Sequence, residues 1–263
     1  MRQASSVRSR LHALTVAVIA LAAISWALAV RSADRDALRH IVQEQCLPHW
    51  SEQHDPAPCA RVVAPDFAVL ADHKGGAHFL LIATQTITGI EDPKLLAPGS
   101  PNYFAAAWQA RDHLSAAVGH PVRDDRIGLA VNSALARGQD QLHIHIECLQ
   151  PRLQRALRAA AASIGDHWTP LPSEDFPYLA LRVRGEKLGH ADPFVLLAEG
   201  HPQARQNMAA YTLIVARVQF TDGPGFIVLT GRTPSREALL LPLAKGLVPP
   251  GETMLDSTCA ADR

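Results

Sequence analysis

The segment Gln141-Leu142-His143-Ile144-His145-Ile146 restricts the fold more than any other stretch of the chain. Strict alternation is the pattern of a β-strand, whose successive side chains point to opposite faces. Leu142, Ile144 and Ile146 share one face and commit it to a core, while Gln141, His143 and His145, with Glu147 next, share the other. A slip of one residue would exchange the faces, so the register is strongly specified. A polar row backed by aliphatics points to a working strand; the rival reading is a solvated face that happens to carry two histidines. Two neighbouring imidazoles could bind a metal, with Glu147 as third ligand. Alternatively, one could attack a phosphorus while the other stabilises charge on its oxygens.

Other periodicities set the frame. Residues 34–46 space Leu38, Ile41 and Val42 along one face of a short amphipathic helix. Residues 67–70 and 78–82 read as strands joined by the turn His73-Lys74-Gly75-Gly76, and 128–132 and 142–149 read as two more. Pro101-Asn102 opens one helix from Tyr103 to about Val118, closed by Gly119 and Pro121, with Tyr103, Phe104 and Trp108 on its core face. Pro151 starts a helix to about Ser163. In the second half 178–183, 211–220 and 226–230 are strand-like, with Asp222-Gly223-Pro224-Gly225 as a turn. Asp192-Pro193 begins a helix to Ala198, and 202–208 form another. Strands interspersed with helices over short connections predict an α+β fold with a mainly antiparallel sheet.

Lys and Arg balance Asp and Glu at 25 each, which argues against a nucleic-acid binder. Arg2, Arg8 and Arg10 precede residues 11–30, which carry no charged side chain. Roughly 20 apolar residues are what a helix needs to cross a bilayer, and leading cations keep the N-terminus in the cytoplasm. Ala27-Leu28-Ala29 also fits a cleaved signal segment, but the full length favours an uncleaved anchor. Residues 1–31 are therefore read as a membrane anchor and 32–263 as a domain outside the cytoplasm. The four cysteines agree with an oxidising compartment. Cys46 and Cys59 bracket a short loop and are expected to pair, leaving Cys148 to pair with Cys259. The rival, a zinc site, lacks any C-x-x-C.

The alternating segment resembles the His-φ-His-φ-His-φ-φ motif of the histidine-triad nucleotide hydrolases and transferases, with Gln141 in place of the first histidine. Further segments resemble, in order, the membrane-anchored CDP-diacylglycerol pyrophosphatase family. They include Glu44-Gln45-Cys46-Leu47-Pro48, Pro58-Cys59-Ala60, Pro101-Asn102-Tyr103-Phe104, Trp108-Gln109-Ala110-Arg111-Asp112, Asn132-Ser133 and Leu197-Ala198-Glu199. The resemblance implies a HIT-like domain, with extra C-terminal α/β elements, on the periplasmic side of a bacterial inner membrane. It implies hydrolysis of CDP-diacylglycerol to CMP and phosphatidate, with membrane lipid as the other partner, no cofactor and no metal in the chemical step.

By position, His143 is the nucleophile, His145 donates to phosphoryl oxygens, and Gln141 orients a neighbour but cannot take up a proton. Asn132, Arg137 and Gln139 would line the phosphate site, Asp72 would hold the ribose, and His78 would be an acid or a structural neighbour. Three rivals remain: transfer of CMP to another acceptor, a zinc hydrolase using His143, His145 and Glu147, and a non-catalytic lipid- or nucleotide-binding module.

Overall fold

The period-two segments pair into a sheet of ten strands. The structure, a computed structural model, describes residues 34–72, 75–201, 203–234 and 247–260. The strands are β1 (Arg61–Val63), β2 (Phe67–Ala71), β3 (Phe79–Ala83), β4 (Ile127–Val131), β5 (His143–Leu149), β6 (Thr169–Pro170), β7 (Leu179–Arg184), β8 (Tyr211–Phe220), β9 (Gly223–Arg232) and β10 (Leu255–Asp256). Their spatial order is β1-β2-β3-β5-β4-β8-β9-β7-β6, with β10 paired to β5, and the pairings are antiparallel. The α+β expectation holds.

Register aligns apolar side chains into rows across the sheet. On one face Phe79, Ile146, Leu129, Val215, Val228 and Leu181 are successive cross-strand partners. Helices α2 (Tyr103–Gln109) and α5 (Pro193–Gly200) cover this face with Phe104, Ala107, Trp108, Phe194 and Leu197, all buried. Each such side chain contributes about 1.5–3 kcal/mol relative to exposure. The opposite face is covered at two places. Helix α4 (Pro151–Ala160) lays Leu153 and Leu157 against Ile214 and Leu229. Helix α1 runs as Ala37–Ile41, Val42–Cys46 in π geometry, and Leu47–Gln53, and packs Leu38 and Val42 against Leu70, Leu80 and Ile82.

Capping follows the sequence. Asn102 Oδ1 accepts from Ala105 N–H at the start of α2, and Asp192 Oδ1 accepts from Phe194 N–H at the start of α5. The single helix expected over 103–118 is instead two, α2 and α3 (Asp112–Val118). The Trp108 carbonyl, which a continuous helix would reserve for Asp112, accepts from both Arg111 N–H and the Arg111 guanidinium. Among the described residues the helix expected over 202–208 is not formed: the N–H groups of Ala204 and Asn207 bond to carbonyls three residues back, closing successive four-residue turns, and Met208–Ala210 is a 3₁₀ turn. These bonds reach three residues back, not four, so no α-helical ladder is built.

Both expected disulfides are present, Cys46–Cys59 and Cys148–Cys259. Among the described residues no helix is long and apolar enough to cross a membrane. The anchor expected over 1–31, and His73 and Lys74 of the hairpin turn, lie outside those residues.

Candidate active site

β5 lies at the middle of the sheet, between β3 and β4. On its polar face a row of cross-strand partners runs Leu70, Leu80, His145, Ala130, Ile214, Leu229 and Ala180. His145 is the one polar member. The face is therefore not a solvated one: His143, His145 and Glu147 are 8%, 4% and 6% exposed. They occupy the strip between the apolar cluster under α1 and the one under α4. Imidazoles in such a place must find partners within the protein.

His143 Nδ1–H donates to the Gln141 carbonyl at 2.7 Å. A carbonyl only accepts, so the proton sits on Nδ1 and the Nε2 lone pair remains for the cavity that His143 lines. Burial is the largest influence on this ring and lowers its pKa below the ordinary 6.5; the Gln141 carbonyl and the Glu252 carboxylate act against it, and Arg137 with it. The ring is neutral near pH 7. Protonation would remove the lone pair that the role expected of His143 requires, so kcat/KM should hold as pH falls through 6.5 and decline only below it. A pH–rate profile checks this, and an acid limb centred above 6.5 would contradict it.

The cavity, about 580 Å³, has two unlike walls. Ala37, Leu38 and Ile41 of α1 with Pro58, Leu70 and Leu80 make one mostly apolar, with Gln45 of α1 its polar member; Asp72, Gln139, His143, His145 and Glu252 make the other polar. Gln139 Oε1 also accepts from Leu38 N–H at 3.0 Å, which fastens α1 to the loop before β5. The His143 and His145 rings meet edge-on with centroids 5.1 Å apart.

Behind them is a buried polar chain. His78 Nδ1 is 3.1 Å from Asp72 Oδ2, and its Nε2 is 3.0 Å from His145 Nδ1 and 3.2 Å from Glu147 Oε1. His145 Nε2 faces Glu252 Oε2 at 3.5 Å. Asp72 thus lines the cavity while one of its oxygens is engaged by His78.

Gln141, Arg137 and Asn132 stand around a separate recess of about 10 Å³ that also reaches His143. The Gln141 amide turns away from the imidazoles, donating to the Ala83 and Gln85 carbonyls at 2.6 and 2.7 Å. Its orienting effect on His143 is exerted by the main chain, not by the amide. Gln141→His, which would complete the histidine-triad motif that the segment resembles, should therefore lower stability by about 1–3 kcal/mol and leave turnover no higher. An imidazole cannot serve both carbonyls; denaturant melts and rate assays check the pair. Arg137 is clasped by Glu91, at 2.7 and 2.6 Å, and by Asp140 at 3.0 Å. Asn132 Oδ1 accepts from Glu252 N–H at 3.2 Å, while its buried Nδ2 has no partner among the described residues.

The zinc set considered from sequence, His143 with His145 and Glu147, is not what folding assembles. His143 and Glu147 are four strand residues apart, about 13 Å along the chain. The donors that converge are those of His78, His145 and Glu147. Glu252 escaped the sequence reading altogether. Its only signal was indirect: pairing Cys259 with Cys148 brings the C-terminal segment beside β5.

An α+β enzyme with a neutral, buried imidazole presented to a two-walled cavity is the class that fold and site define. Residues 33–263 match the CDP-diacylglycerol pyrophosphatase family. A protein named CDP-diacylglycerol pyrophosphatase from Yersinia pestis is 40% identical over 230 residues, covering 86% of this chain and 88% of the relative. The chain belongs to this family and is a hydrolase acting on acid anhydrides.

Proposed function

We propose that the enzyme hydrolyses CDP-diacylglycerol to CMP and phosphatidate through a nucleotidyl-histidine intermediate on a HIT-like domain. The observation that carries this is the Nδ1–H bond from His143 to the Gln141 carbonyl, which leaves Nε2 unprotonated at the cavity. Nε2 attacks the cytidylyl phosphorus; an N–P bond forms and the P–O bond to phosphatidate breaks, its electron pair leaving on the phosphatidate oxygen. The positive charge that develops on the ring is delocalised toward Nδ1–H, where the Gln141 carbonyl stabilises it.

His145, which lines the cavity, donates from Nε2 to phosphoryl oxygens. In the second step a water oxygen bonds to phosphorus, the N–P pair returns to Nε2, and Glu252 takes the water proton. The apolar wall takes the parts of the substrate that flank the diphosphate. Residues 11–30 as a membrane anchor, with the domain in the periplasm of a bacterial inner membrane, agree with two disulfides in the domain.

Quenching with substrate labelled in the cytidylyl phosphate tests the mechanism. Label should be found on His143 after proteolysis. Label on CMP alone, with none on protein at any quench time, would refute the covalent step.

A further inference from the structure

We propose that His78, His145 and Glu147 form a divalent transition-metal site of the zinc class, behind His143, that holds His145 in register. The sheet creates the juxtaposition. Phe79 pairs with Ile146, so the next step of the ladder sets His78 opposite Glu147, and His145 precedes Glu147 by two on the same face. The donor separations are 3.0 Å for His78 Nε2 to His145 Nδ1, 3.2 Å for His78 Nε2 to Glu147 Oε1, and 3.9 Å for His145 Nδ1 to Glu147 Oε1.

The point equidistant from these three atoms lies roughly 2.0 Å from each, which is the bond length zinc makes to nitrogen and to carboxylate oxygen. A proton explains the arrangement less well. With His78 Nδ1 directed at Asp72, a single Nε2 faces two groups that can each accept, and one hydrogen cannot be aligned on both. A cation binds all three at once.

Charge and surroundings agree. The side chains of Asp72 and Glu147 are 7% and 8% exposed and both touch the one His78 ring, so hard oxygen donors and imidazole nitrogens meet in a space with little water. Asp72 on the far nitrogen of His78 is the carboxylate that orients a ligating histidine and raises its basicity. Ligation through Nδ1 fixes the proton of His145 on Nε2, the atom facing Glu252. The ion acts through His145 and does not touch substrate. His78, Glu147 and Asp72 are positioning residues. The inference does not depend on the covalent intermediate.

The test uses the full-length protein without an affinity tag, stripped with a chelator and titrated with Co²⁺ and Zn²⁺. The expected result is about one ion per chain, visible as Co²⁺ d–d bands that Zn²⁺ displaces. His78→Ala and Glu147→Gln should weaken Co²⁺ binding at least about a hundredfold, and Asp72→Asn about 10–100-fold. Unaltered circular dichroism would show that the isosteric Glu147→Gln variant is folded. Failure of the parent to bind Co²⁺ or Zn²⁺ stoichiometrically would overturn the site, as would equal binding by the parent and the folded Glu147→Gln. Trapping of label on His143 is a separate readout and can succeed whichever way the titration falls.

Discussion

His143→Ala should lower kcat by at least about a thousandfold while leaving a folded protein, because it removes the atom to which the proposed attack is assigned and little else. The ring borders a cavity, so truncation enlarges space that already exists instead of opening a void in packed core. The main-chain ladder from Ile82 to residue 143 does not involve the side chain. The structural cost is one hydrogen bond, that to the Gln141 carbonyl, worth about 1 kcal/mol. Steady-state rates together with a denaturant melt separate the two effects. Activity within tenfold of the parent would exclude His143 as nucleophile, whatever the melt shows.

Replacing both Cys148 and Cys259 by alanine should cost up to about 4–5 kcal/mol, the largest stability change expected of any paired substitution here. The bridge joins residues 111 apart in sequence, and the entropy it removes from the unfolded chain grows with loop length. The Cys46–Cys59 bridge, spanning 13, should be worth about 3 kcal/mol. The longer bridge also has a local effect. Leu255 and Asp256 pair with Leu149 and Cys148, and Leu255 packs over Gly128, where a Cβ would lie 2.5 Å from its Cδ2. This arrangement carries Glu252 to His145. Loss of the bridge should therefore reduce turnover as well as stability, and equal melts for the parent and the double variant would contradict the argument. Free thiols at all four positions, seen by non-reducing mass spectrometry, would remove the support for an oxidising compartment.

The parts legible in the sequence were those governed by local periodicity or by forced pairing. Alternation placed β5 and its two faces, Asp192-Pro193 marked the start of α5, and the four cysteines pointed to both bridges. Strands β1, β6 and β10 are two or three residues long, too short to show a period, and exist because neighbouring strands offer them a ladder. The break before Asp112 depends on where the Arg111 guanidinium folds back, which no spacing rule reveals. At the site, the histidines could be singled out, but not that their face is buried, since burial comes from α1 and α4 packing on either side. Nor could sequence show that Gln141 acts through its carbonyl, or that His78 lies against Glu147 from a strand far away in the chain.

The apolar row from Phe79 to Leu181 crosses six strands without interruption, and it has no seam at which the sheet could be divided. The strands contributed by the two halves of the chain consequently share one cooperative unit, whose loss in one place is felt throughout. An enzyme built this way cannot shed β8 and β9 and keep its imidazoles in order; the strip that holds His143 and His145 is only as durable as the entire ribbon that carries it.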